Sequence, residues 1–266
     1  MKDNLSHVYV ETLRIGLKPY FANWLPNEPL TVGDFGYLDG CMFSRKSSLK
    51  NAFGKSIQSI IHNRSESRIT YMSSKGLSIN SSAIGSIDSS VSGGVPVKAH
   101  LDINFSKEGA VYFNATKCKI TEVNDLESLG NTVLKLFESD QWNDDWAVVI
   151  SVVKADSTTA LVSSSNDASI VLEADASIPK IDLADASIKL NIKSQKNIGF
   201  SFVTKAGCVP LFTLGKIKPK FLGGAIFKTR FLVDGIMEDS LKIKREHVKA
   251  GKDIRDIFVF EELADI

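Results

Sequence analysis

The chain has 266 residues, a formal net charge of +1, 43% hydrophobic and 24% charged residues. That balance fits an ordinary globular protein of one large domain or two small ones. It lacks the strongly basic composition on which nucleic-acid binding rests, so no nucleic-acid partner is expected. In chain order, Leu5 to Tyr20 reads as a short helix, broken at Leu25-Pro26-Asn27. The run "VGDFGYLDG" reads as turns: Gly33, Gly36 and Gly40 permit positive φ, and Asp34 and Asp39 suit turn positions. Ser44 to His62 reads as the clearest helix, with Leu49, Phe53, Ile57, Ile60 and Ile61 at helical spacing and Ser47 or Ser48 as its cap. Leu77 to Gly94, rich in Ser and Gly, reads as a loose strand or a long flexible loop.

From Val97 the period is two. Val97, Ala99, Leu101, Ile103 and Phe105 alternate with Lys98, His100, Asp102 and Asn104, the pattern of a half-buried strand with one wet face. Val111, Phe113 and Ala115 continue it after a turn at Glu108-Gly109. Asp125 to Ser139 predicts a second helix, with Leu126, Leu129, Val133, Leu136 and Phe137 on one side. Trp146 to Val153 is apolar on both faces, as a central strand is. Further strands are predicted over Thr159–Ser163, Ser169–Ile178, Ala184–Ile192, Ile198–Thr204, Val209–Ile217 and Ala225–Val233.

Runs of strands without intervening helices argue against doubly wound and α/β-barrel folds. The expectation is a single α+β domain over 1–266, with a large, twisted, mostly antiparallel sheet and a few packed helices. Within it, 256–266 is either an inhibitory tail or the last edge strand.

The search for chemistry returns little. Asp34-Phe35-Gly36 spells the metal-binding element of protein kinases, but the Gly-rich loop, strand lysine and catalytic loop that must precede it are missing. His100 and Asp102 share a strand face, which reads as solvated, and a metal needs more ligands. Asp144-Asp145 reads as the polar turn feeding the strand at Trp146. There is neither a G-x-S-x-G elbow nor a phosphate loop. No catalytic residue, metal or cofactor is therefore assigned, and a non-enzyme is expected. Cys41, Cys118 and Cys208 are far apart with no C-x-x-C pair, which argues for a reducing compartment. No stretch has the ~18 consecutive apolar residues of a spanning helix. The opening residues lack a signal peptide's apolar core, so the expected location is the cytoplasm.

Lys216, Lys218 and Lys220 alternate, and Lys228 and Arg230 follow with the same parity. They read either as lysines guarding an edge strand or as a patch for anionic lipid head groups.

The order of these features resembles the bacterial gasdermins. The opening "GLKPYFANWLPNEPLTVG" is similar to that family's, and "LESLGNTVLKLF" followed by "DDWAVVISVVKADSTTALVSSSNDASIVLEA" resembles its helix and strand pair. "GCVPLFTLGKIK" resembles its late core strand. The resemblance implies a latent pore former. A protease removes a C-terminal segment, and the body oligomerises with copies of itself on anionic lipids of the inner membrane, in defence against phage. On that reading the membrane-facing strand residues are Val97, Leu101, Ile103, Phe105, Ile170, Leu172, Ile188, Leu190 and Ile192. The head-group contacts are Lys216, Lys218, Lys220, Lys228 and Arg230, and the inhibitory tail carries Phe258, Phe260 and Leu263. The alternative is a soluble binding or assembly protein that uses the same antiparallel sheet for protein contacts.

Overall fold

A computed structural model describes residues 5–62, 67–83, 99–174, 190–204, 207–219 and 258–263. Helix α1 (Leu5–Gly16) is followed by β1 (Phe21–Ala22), β2 (Asp34–Asp39), β3 (Met42–Ser48), the short α2 (Leu49–Phe53) and β4 (Ser59–His62). Next come β5 (Ile69–Met72), β6 (Leu77–Ala83), β7 (Ala99–Phe105), β8 (Val111–Thr116), β9 (Lys119–Val123) and α3 (Leu126–Glu138). The chain continues with β10 (Trp146–Ala155), β11 (Ser157–Ser163), β12 (Ala168–Ala174), β13 (Leu190–Lys196), β14 (Ile198–Thr204), β15 (Cys208–Pro219) and β16 (Phe258–Glu262). The class is α+β, as the strand runs imply. An eight-stranded sheet has the order β1-β15-β10-β2-β3, with β16 beside β15, and β9 beside both β10 and β4. Two four-stranded sheets have the orders β14-β11-β8-β5 and β13-β12-β7-β6.

The chain divides into two compact units. The first comprises residues 1–29, 61–120 and 153–211. In it the two four-stranded sheets share one apolar core. Leu101, Ile103, Phe105, Ile170 and Leu172 come from one, Tyr112 and Leu161 from the other. Each such side chain contributes about 1.5–3 kcal/mol by leaving water. Helix α1 buries Tyr9, Val10 and Leu13, and the Tyr9 ring meets Phe200 of β14 at 5.5 Å. Arg14 is also buried; its guanidinium lies 4.0 Å from the Phe21 ring centroid and donates to the Pro19 carbonyl.

The second unit comprises residues 30–60, 121–152 and 212–266. Helix α3 starts at Asp125, whose carboxylate accepts from the Ser128 N–H at 2.9 Å, satisfying one of the first turn's free donors. Its buried face, Leu129, Val133, Leu136 and Phe137, packs with Val148, Ile150 and Ile217 of the sheet. Phe35 stands among Trp142 and Trp146, at 5.0 and 4.9 Å between ring centroids.

Three expectations change here. Asp34-Phe35-Gly36 lies on strand β2, paired with β3, and is not itself a turn. Glycines Gly33 (φ 88°) and Gly40 (φ 55°) bracket the strand with the positive φ they alone adopt cheaply. Gly36 serves close approach instead, because a Cβ there would overlap the Ser44 carbonyl oxygen. Asp34 is buried and ion-paired to Arg45 at 2.9 Å, which makes it a structural anchor of the β2–β3 pair.

The helix expected over Ser44–His62 is confined to Leu49–Phe53. Ser48 caps it, accepting from the Asn51 N–H at 3.2 Å, and Gly54 at φ 67° ends it. Ser44 to Ser48 are spent on pairing with β2, and Ser59–His62 on pairing with β9. Spacing alone did not register the glycine stop.

His100 is the third. It is buried at 5% exposure and does not lie on a wet face, because side chains from β12 and β13 close over it. By contrast, α3, β10 and β14 fall where they are predicted, α1 ends at Gly16 rather than at the expected Tyr20, and Asp144–Asp145 is the expected turn. Strand β13 runs on past Ile192 to Lys196. Residues 84–94, 184–189 and the strand expected over Ala225–Val233 lie outside the described residues.

Candidate functional site

The feature that stands out is the sheet β13-β12-β7-β6. Burial alternates most clearly along its central strand β12, because the sheet has one face on the core and one turned away from it. Along β12 the burial alternates from Ala168 to Ala174, with Ala168, Ile170, Leu172 and Ala174 inward. Leu101, Ile103 and Phe105 of β7 point to the same core. The pairing aligns these inward residues across strands: Leu172 lies opposite Leu101 on one side and Ile192 on the other.

The registers also fix how the strands end. Ala83 of β6 pairs with Ala99 of β7, and Ala174 of β12 pairs with Leu190 of β13. His100 pairs with Glu173, so Ala99 and Ala174 end adjacent strands on the same row. Residues 83, 99, 174 and 190 therefore form one row at one end of the sheet. Two connecting segments depart from that row: fifteen residues, 84–98, join β6 to β7, and fifteen, 175–189, join β12 to β13. The other end is closed by short connections, such as the one from Phe105 to Val111.

Among the described strands, the sheet's edges are β6 and β13. Every residue of β13 except Leu190 is exposed, and Ile192 has 42% of its surface in water although it shares the inward row with Leu172. On the outward face, three strands contribute a charged cluster. Lys193 Nζ donates to His100 Nε2 at 3.2 Å, Lys193 Nζ lies 3.6 Å from Glu173 Oε2, and His100 Nδ1 lies 3.7 Å from the same oxygen.

In the second unit, β16 pairs antiparallel with β15, Lys216 opposite Glu261 and Ile217 opposite Phe260. Phe260 occupies a slot made by two missing side chains. A Cβ on Gly130 of α3 would meet it at 3.0 Å, and one on Gly215 of β15 would overlap its ring. Leu263 is buried, and its N–H donates to the Leu214 carbonyl at 2.8 Å.

Of the nine residues assigned to membrane-facing strands, Leu101, Ile103, Phe105, Ile170 and Leu172 are buried together in the core. Leu190 is half-buried and Ile192 exposed; Val97 and Ile188 lie outside the described residues. Lys216 and Lys218 are half-buried on β15, a strand with neighbours on both sides, so they do not guard an edge. Lys220, Lys228 and Arg230 lie outside the described residues, and of Phe258 only its backbone place in β16 is described. Glu173 and Lys193 were missed as partners of His100. Strand parity put the histidine on the right face, but only the pairing of β7, β12 and β13 reveals what meets it there.

Burial raises the pKa of Tyr112 to about 12, with Arg68 pulling the other way. It also pushes the Cys118 thiol up to about 12 and raises that of Cys208. These groups are neutral parts of the core near pH 7. Among the described residues no group of three His, Cys, Asp or Glu side chains is placed to hold a metal ion. No described helix is long and apolar enough to cross a membrane, a criterion that does not apply to strands. The chain matches no protein-family model, and no curated protein sequence is significantly similar to it.

Proposed function

We propose that this chain is a latent, non-enzymatic pore former whose β13-β12-β7-β6 sheet supplies the strands that enter a membrane. The observation that carries the reading is the shared row at 83, 99, 174 and 190, from which two segments of equal length leave one end of one sheet. Most apolar residues of the two segments keep the parity of the strands they join, with Ile84, Ile181 and Leu183 as exceptions. Ile87, Val91, Val95 and Val97 match Leu101, Ile103 and Phe105; Ala176, Ile178, Ala184, Ala186 and Ile188 match Ile170, Leu172 and Leu190.

Continuing each pairing through its segment gives four strands that meet near residues 91 and 182. Each then exceeds the roughly 9–11 residues needed to span a bilayer. One face is apolar and the other polar, the pattern of a barrel wall. Hydrogen bonding then requires copies to assemble until no edge is open. The open edges β6 and β13 supply the seam. The tail is the restraint: β16 is held by one strand pairing and by Phe260 in its slot, and a protease acting before Asp256 frees it. Lys216 and Lys218 then contact anionic head groups. On the resemblance to bacterial gasdermins, such an activity would act at a bacterial inner membrane, in defence against phage.

The test uses the full chain with a specific protease site inserted before Asp256, mixed with anionic vesicles holding a trapped dye. Cleavage is expected to release dye, and the uncut chain to retain it. Ile192→Arg is expected to leave the uncut protein folded and to abolish release, since a cation at the bilayer midplane costs about 2–4 kcal/mol. Retention of dye by the cut chain sinks the pore reading. A stoichiometric complex formed through β6 or β13 without leakage supports the soluble assembly protein instead.

A further inference from the structure

The polar face of the β13-β12-β7-β6 sheet holds one buried histidine, and its contacts select a tautomer of the neutral ring. An ammonium group has three donors and no acceptor. Lys193 Nζ, 3.2 Å from His100 Nε2, therefore donates, and Nε2 must be the bare nitrogen. In the neutral ring that fits this contact, the proton is on Nδ1. That atom is buried without a hydrogen-bond partner, and Glu173 Oε2 is 3.7 Å away.

Among the described residues, three neighbouring strands bring groups toward the ring. Strand β12 contributes Glu173, and β13 contributes Lys193, with Asn191 in register with Glu173. Strand β6 places Ser82 in register with His100, and β7 itself carries Asp102 two residues on. Lys193 is the one cation described among them. It crosses over β12 to reach β7, so it is a side-chain tie between an edge strand and the strand two places in.

A second proton on His100 reverses this arrangement. Nε2 becomes a donor facing a donor, and two positive charges stand 3.2 Å apart. Nδ1–H is now part of a cation beside the Glu173 carboxylate and is drawn to it. The histidine changes partner: β7 grips β12, and β13 loses its tie to β7 while Lys193 stays beside Glu173. Strand β13 keeps its backbone pairing with β12 and the Lys196–Asp167 ion pair at 2.9 Å, so what it loses is the one described side-chain tie that reaches β7.

We propose that His100 is a proton-operated latch on edge strand β13, closed on Lys193 when the imidazole is neutral and open when it is protonated. This does not rest on the pore reading and applies equally to a protein that never meets a membrane.

The experiment is amide hydrogen exchange on the full chain at about pH 8 and pH 5, the span over which imidazole ordinarily changes charge. Exchange is corrected for its intrinsic pH dependence, with β8 and β11 as the reference. Protection over residues 191–196 is expected to fall about fivefold at the lower pH, the worth of one hydrogen bond. His100→Gln keeps an acceptor for Lys193 but takes no proton, so its protection stays high at both pH values. Lys193→Met shows the low protection at both. A wild-type β13 indifferent to pH, or a response that survives in His100→Gln, overturns the latch. Ring nitrogen shifts of the wild type give a check that needs no variant: a proton found on Nε2 at pH 8 overturns it as well.

Discussion

The two four-stranded sheets of the first unit share a core and have opposite surroundings. In the β14-β11-β8-β5 sheet, β8 is buried at all six positions and β11 at all but its first. Its polar groups are consequently spoken for: Thr116 and Ser157 share a 2.6 Å hydrogen bond, and Asn114 accepts from Arg68 at 2.7 Å and Thr70 at 3.0 Å. In the β13-β12-β7-β6 sheet, burial alternates and then runs out at β13. One sheet is a scaffold whose buried side-chain polar groups are paired, the Tyr112 hydroxyl excepted. The other is assembled on that scaffold with a free edge, and a region that changes partner or shape is drawn from such weakly held elements.

The contrast is tested most harshly at Phe113, fully buried in the middle of β8. Phe113→Ala is expected to cost about 3–5 kcal/mol through lost burial and a residual cavity, read as a drop in the denaturant midpoint. A smaller loss follows from alkaline pH. Tyr112 on β8 and Cys118 just beyond it have pKa values raised to about 12 by burial. Between the unfolded values near 9–10 and those folded values, the unfolded chain holds fewer protons. Stability present below about pH 9 is therefore lost as pH rises, by on the order of 2–3 kcal/mol at pH 10.5. Thermal melts at pH 7, 9 and 10.5 read the loss, and Tyr112→Phe reduces it.

Smaller again is Ser163→Ala. Its hydroxyl donates to the Lys107 carbonyl at 2.6 Å and accepts from the Ala110 N–H at 3.0 Å, so about 1–2 kcal/mol is lost on its removal. The smallest effect belongs to the free edge, where Ile192→Arg is expected to change stability by no more than about 0.5 kcal/mol. A large loss there shows that β13 is covered and erases the contrast.

The same contrast governs what the sequence disclosed. Periodicity found α3 to within a residue at each end, because Asp125 and Ser139 cap a strong apolar stripe. It found β7, β10 and β12 because burial on one or both faces writes itself into residue type. It failed where the deciding contact is distant in sequence. Nothing in "SRKSS" announces that it pairs with "DFGYL" rather than winding into the helix that follows it. Nothing around His100 announces Lys193, 93 residues away and two strands over. The end of β13 was illegible for a different reason: Lys193 to Lys196 bury nothing, so they carry no pattern to read. The alternating faces of the candidate membrane strands were legible; their common exit row was not, since it exists only in the registers.

The slot around Phe260 has a genetic consequence. The tail is recognised through two absences, the side chains that Gly130 and Gly215 do not have, so the body and its last strand can change only as a pair. Gly215→Ala alone is expected to evict the ring. Gly215→Ala combined with Phe260→Leu is expected to recover most of the loss, and a double-mutant cycle on stability reads the coupling as a deviation from additivity. A lineage that enlarged residue 215 would have had to shrink residue 260, so the two ends of that contact carry a shared history that neither residue records alone.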